Sequence, residues 1–165
     1  MPLPLLPALK NALGPETPSR ARPVMVLGVG SPLRSDDAAG LHVAAALGRD
    51  RLPHVTAVEA GPAPENFTSE IRRIHPAVLV LVDCARMGES PGTVNVIEAG
   101  QIAGVSFGTH GLPLTVLADY VRQEVGCTVV FLGIEPVTVE PGETLSPAAR
   151  AGVQTAVSVL REALS

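Results

Sequence analysis

Aromatic residues are nearly absent from this chain: it has no tryptophan, one tyrosine and three phenylalanines among 165 residues. Its core must therefore be packed from aliphatic side chains. Cysteine is scarce too. Cys84 and Cys127 are the only two and show no CxxC spacing. Each adjoins an apolar run, which predicts buried free thiols in a reducing compartment. Basic clusters are missing: the formal net charge is -4 and Lys and Arg are scattered, which argues against a nucleic-acid partner. No apolar stretch is long enough to span a bilayer. The apolar start Met1–Pro7 is broken by prolines and followed by Lys10, without the charged-then-apolar order of a signal peptide. These absences lead us to expect a soluble, cytoplasmic protein with no membrane insertion. Its length suits one domain.

Residues 1–22 read as an N-terminal appendage, ending in the loop-like Gly14-Pro15-Glu16-Thr17-Pro18-Ser19-Arg20, and residues 23–165 as a single domain. Strand and helix patterns alternate through that domain. Strands are predicted at Val24–Val29, Val55–Val58, Val78–Val82, Thr93–Ile97 and Thr128–Ile134. Helices are predicted at Ala38–Leu47 and Glu65–Ile74, along Leu114, Leu117, Val121 and Val125, and along Val153, Val157, Leu160 and Leu164. Ser146 is the expected N-cap of the last helix, with Pro147 in its first turn. The run Ala77–Val82 lacks polar alternation and reads as the most buried strand. Cys84–Gly92 is too short for a crossover helix, so the Thr93–Ile97 strand should run antiparallel to the others. The expectation is a three-layer αβα sandwich of the phosphorylase/hydrolase-like kind. Its mixed five-stranded sheet would be mostly parallel with one antiparallel strand.

Three residues stand at strand ends or helix starts. Asp37 lies in the segment from Gly28 to Gly40, Asp83 closes the Ala77–Val82 run, and His110 sits in Gly108-Thr109-His110-Gly111. Ligands of open parallel sheets bind outside the carboxyl ends of the strands, so the three can meet in one cleft. Two carboxylates and an imidazole make a plausible divalent-metal site. Each has a plainer reading. Asp36 and Asp37 can both serve a helix N-terminus, although two adjacent side chains do not easily enter one cleft; one caps while the other projects. Asp83 can cap a loop through the N–H of Ala85 or Arg86. His110 can be an ordinary loop histidine, but the small residues around it could deliver it to a site. His42, His54 and His75 read as surface residues. Gly28-Val29-Gly30 invites a dinucleotide reading, but the third glycine of that fingerprint would fall at Leu33. A tight strand-to-helix turn accounts for it more simply.

Taken in order, the motifs resemble a family. Leu27–Leu33 with Asp36-Asp37-Ala38-Ala39-Gly40 resembles the opening motif of the [NiFe]-hydrogenase maturation endopeptidases. Val80-Leu81-Val82-Asp83-Cys84-Ala85 with Pro91-Gly92-Thr93-Val94 is similar to their second motif, and Thr109–Leu114 to their third. Phe131–Pro136 followed by Leu145-Ser146 is similar to their C-terminal signature. Gly61–Asn66 and Thr109–Leu114 look most like the formate-hydrogenlyase-type (hydrogenase 3) branch. The family departs from this chain at Ser31, where many members have Asn, and at Ala38, where many have Gly. The resemblance implies an endopeptidase that removes the C-terminal extension of a hydrogenase large-subunit precursor after nickel insertion. It carries the metal-contacting roles to Asp37, Asp83 and His110, with nickel supplied mainly by the precursor and no organic cofactor. No Ser-His-Asp triad or catalytic Cys arrangement is evident, which favours metal-assisted hydrolysis. Two rival readings are a non-catalytic metal-binding or chaperone module gripping the nickel-loaded precursor, and a small-molecule α/β enzyme using the Gly28–Gly30 turn for a phosphate.

Overall fold

Strand β3 (Val78–Arg86) is buried from Val78 to Ala85, which requires cover on both faces. The computed structural model, which describes residues 3–98, 101–102, 105–107 and 113–165, supplies it with a layer of helices on each side. Five strands form the main sheet in the order β2-β1-β3-β6-β4. They are β1 (Val24–Val29), β2 (Val55–Gly61), β3, β4 (Val94–Ile97) and β6 (Thr128–Ile134). The β1–β2, β1–β3 and β3–β6 pairs are parallel, whereas β4 pairs antiparallel with β6. The antiparallel strand is thus the expected one, and it lies at the sheet edge beside β6. A two-residue strand absent from the expected set, β5 (Ser106–Phe107), pairs antiparallel with the end of β3.

The alternation of β3 divides the core. Val78, Val80 and Val82 face α2 (Ala39–Asp50) and α5 (Pro147–Ala163), with Val43, Leu47, Val157 and Leu160 packed against them. Leu79, Leu81 and Ala85 face α3 (Thr68–Ile74) and α4 (Leu114–Val125), meeting Ile71, Leu117 and Val121. Ser146 caps α5, its Oγ accepting from Ala149 N at 3.1 Å, with Pro147 at the first position. His42, His54 and His75 are all exposed.

The segment read as an appendage contains α1 (Leu5–Leu13), which packs on α5 and β4. Leu9 and Leu13 are buried in the same core as Val80 and Val157. Leu5, Leu9 and Leu13 recur every fourth residue and so share one helix face. Pro7 is harmless because it falls in the first turn, whose N–H groups have no intrahelical partner. Within the described residues, no helix is long and apolar enough to cross a membrane.

Candidate active site

Two glycines bring the ends of β1 and β3 under the first turn of α2. A Cβ on Gly28 would stand 2.2 Å from the Gly40 carbonyl oxygen, and one on Gly40 would stand 2.2 Å from that of Val82 and 2.6 Å from that of Val29. No side chain fits at either place. The Gly28-Val29-Gly30 segment therefore serves close backbone packing. Gly28 pairs with Val82 across the β1–β3 ladder, so Asp83 follows directly after this crossing. It is fully buried on the α3/α4 face of the sheet, between Leu81 and Ala85.

A 3-10 turn, Ser35–Ala38, leads straight into α2. It carries two buried aspartates. Asp37 turns back toward β1, its Oδ2 accepting from Ser31 N at 2.8 Å. Its Oδ1 is buried and has no hydrogen-bond partner among the described residues. Asp36 points the other way. Its Oδ1 accepts from Ser146 N at 2.7 Å, and its Oδ2 from Val137 N and Ser146 Oγ, each at 2.8 Å. Neither carboxylate caps its own helix, because Ala38, at the cap position, is already helical. Asp36 instead supports the start of α5 by binding that helix's N-cap residue.

The chain from Glu135 to Ser146 forms a strap across the sheet edge. At its far end it grips the turn that carries Asp37: Ser35 N donates to Gly142 O at 2.9 Å, Asp36 N to Thr138 O at 3.2 Å and Ser35 Oγ to Glu140 O at 2.7 Å. At its near end, buried Glu135 grips the loop beyond β3. Its Oε1 accepts from Met87 N at 2.7 Å and from Glu89 N at 3.0 Å. Its backbone exchanges bonds with Gly92 and Thr93. Neither the strap nor the role of Glu135 was anticipated. The available signal was the one used for Asp83, an acid closing an apolar strand, here Thr128–Ile134.

Cys84 reports on the local charge. Burial pushes its thiol up, the carboxylates of Asp83, Asp37 and Asp36 push it further, and Arg86 opposes them weakly. The three carboxylates therefore all lie near Cys84, although Asp36 is turned toward the strap. Cys84 and Cys127 are both free and buried. His110 lies outside the described residues. Among those residues, no group of three or more His, Cys, Asp or Glu side chains is placed to hold a metal ion. Asp37 Oδ1, without a hydrogen-bond partner among the described residues, is a carboxylate oxygen of the kind that divalent cations accept as a ligand.

The hydrogenase maturation protease family matches residues 41–163. A putative hydrogenase maturation protease of Methanocaldococcus jannaschii is 30% identical over 140 residues, covering 80% of this chain and 78% of that protein. The hydrogenase 3 maturation protease of Escherichia coli K12 is 34% identical over 113 residues, covering 68% and 72%. Among solved structures, the [NiFe] hydrogenase maturation protease HycI of Thermococcus kodakarensis superposes with a TM-score of 0.79 at 25% identity, covering 94% of this chain and 97% of that one. The crystal structure of a hydrogenase 3 maturation protease gives 0.72 at 30% identity, covering 85% and 90%. Fold, order of motifs and relatives agree: this chain belongs to the hydrogenase maturation proteases.

Proposed function

We propose that this chain removes the C-terminal extension of a [NiFe]-hydrogenase large-subunit precursor after nickel insertion, with Asp37, Asp83 and His110 contacting the metal-bearing end of that substrate. The observation that carries the reading is the buried Oδ1 of Asp37 beside the end of β3, which has no hydrogen-bond partner among the described residues. A buried carboxylate oxygen left open costs stability unless a ligand uses it. Nickel here belongs to the substrate. Two carboxylates and an imidazole hold nickel more weakly than thiolates do, which suits a protein that inspects an ion held mainly by its precursor's cysteines. When bound, such an ion brings Lewis acidity to the cleft.

The protein's own residues do the rest. Asp37 and Asp83 offer fixed carboxylates at a water-poor strand end. His110 is three residues from Phe107, so chain connectivity keeps its Cα within roughly 11 Å of that residue. Phe107 pairs with Ala85, two residues beyond Asp83. Because β5 is antiparallel to β3, Phe107 is the end of β5 nearer Asp83, which supports grouping His110 with the two acids. The exposed Leu33 and Val137 give the same rim an apolar surface for the precursor. We place the reaction in the cytoplasm, since two buried free thiols suit a reducing compartment. We assign the substrate to the hydrogenase 3 type because the E. coli relative bears that name.

The test incubates the protein with nickel-loaded and nickel-free precursor and reads intact mass. Loss of a C-terminal peptide from the loaded form alone is expected. Equal cleavage of both forms would refute nickel gating, and stable binding without cleavage would favour the chaperone reading.

A further inference from the structure

We propose that Glu135 is a positioning residue for precursor cleavage, holding the β3 end that carries Asp83 in its working place. The inference rests on the assignment of Asp83 above. Glu135 is buried, and one of its oxygens receives the N–H groups of both Met87 and Glu89. Those amides lie directly beyond Arg86, the last residue of β3. The same stretch of β3 pairs with β5, through Ala85 with Phe107 and Arg86 with Ser106. A single carboxylate thus fixes the chain just past Asp83 and, through the Ala85–Arg86 backbone, the strand that leads toward His110.

Gly133 lies opposite Asp83 in the β3–β6 ladder. It has no side chain, and Ala85, Met87 and Ile97 close over it: a Cβ there would stand 2.9 Å from Ala85 Cβ and 3.0 Å from Met87 Sδ. Met87 can cover Gly133 only while its own backbone is held. The strap's other end binds the Asp37 turn through Asp36 and Ser35. Glu135 therefore sits where the two halves of the site are joined. Charged acceptors bind backbone N–H groups more strongly than neutral ones and fix their geometry.

The experiment compares Glu135→Ala and Glu135→Gln as full chains in steady-state cleavage of the nickel-loaded precursor. Amide hydrogen exchange is followed in parallel at residues 87–89 and 106–107. Glutamine keeps an oxygen able to accept both N–H groups. Glu135→Ala should lower kcat by about 10- to 100-fold, the range for a small misplacement of catalytic groups, with KM nearly unchanged. The 87–89 amides should lose protection. Glu135→Gln should recover most of the rate and the protection. Wild-type kcat in a folded Glu135→Ala protein would overturn the inference. So would a rate loss that merely tracks the unfolded fraction, with Gln no better than Ala. Val157→Ala, remote in α5, sets the scale for stability loss alone. Asp83→Ala in the same assay separates the two claims. If it cleaves normally, the assignment of Asp83 fails while a Glu135→Ala rate loss still ties Glu135 to the reaction. If it is inactive and Glu135→Ala is not, only the Glu135 inference fails.

Discussion

Gly40 and Val82 meet backbone to backbone: a Cβ on Gly40 would stand 2.2 Å from the Val82 carbonyl oxygen. Gly48, two turns further along the same helix, has only the Ala57 carbonyl at 3.7 Å from its missing Cβ. Gly40→Ala should therefore destabilise the fold by about 3 kcal/mol through overpacking and displace the Asp37 turn. Gly48→Ala should stabilise it by about 0.5–1 kcal/mol through helix propensity. Urea unfolding of both variants checks this. Equal effects would show that α2 does not rest on the β1–β3 crossing as described.

The adjacent aspartates should separate cleanly on mutation. Asp36 accepts three hydrogen bonds from residues of the strap and α5. Asp36→Ala removes the acceptor from these part-buried donors, and we expect a loss of about 1–3 kcal/mol. Among the described residues the Asp37 side chain accepts one bond, from Ser31 N. Asp37→Ala should leave the thermal midpoint within a few degrees of wild type and abolish cleavage. A fully active Asp37→Ala protein would remove Asp37 from the site.

His110 should matter to chemistry and not to folding. His110→Ala is expected to retain the far-ultraviolet spectrum and lose cleavage of the loaded precursor. Amide exchange across residues 105–112 should slow when that precursor binds. High protection in the free protein, unchanged on binding, would mean that the segment is set before substrate arrives.

Alkaline stability should carry the mark of Cys84. Burial and three carboxylates hold its thiol well above the ordinary range when folded, whereas an unfolded thiol ionises near pH ~8.5. The folded state thus binds more protons above that pH. Stability contributed by the neutral thiol is full below it and falls by up to about 1.4 kcal/mol per pH unit above it. Cys84→Ala should flatten this slope in urea titrations between pH 8 and 11. Iodoacetamide should leave the native thiols unlabelled at neutral pH and modify them in urea.

The sheet was legible because its signals are local. The unbroken apolar run to Val82 marked the central strand, Ser146-Pro147 marked the start of α5, and the short Cys84–Gly92 segment forced β4 antiparallel. β2 runs to Gly61, past the expected Val58, because its edge position leaves much of its side-chain surface exposed and weakens the apolar pattern. Helix α1 was missed because its prolines read as breakers, while the faces that bury Leu9 and Leu13 lie far along the chain. The ends of Asp36 and Glu135 were illegible for the same reason. Asp36 binds donors 101 and 110 residues away, and Glu135 binds amides 48 and 46 residues back. Sequence spacing holds no record of such pairs. Asp83 was noticed because a strand-ending acid is costly unless used, and Glu135 met the same criterion without being singled out.

The strap also sets an order in time. A ribosome delivers the chain from its N-terminus, so Asp36 emerges well before Val137, its partner 101 residues later. A nascent chain that ends at Ile134 already holds Asp37, Asp83 and His110 but lacks Glu135 and the strap residues Val137, Thr138, Glu140 and Gly142 that bind Asp36 and Ser35. Closing so long a loop is entropically costly until the strap and α5 can dock. A finished cleft therefore needs the chain through Ser146, so the last part of the site to be made is the part that holds the earlier parts together.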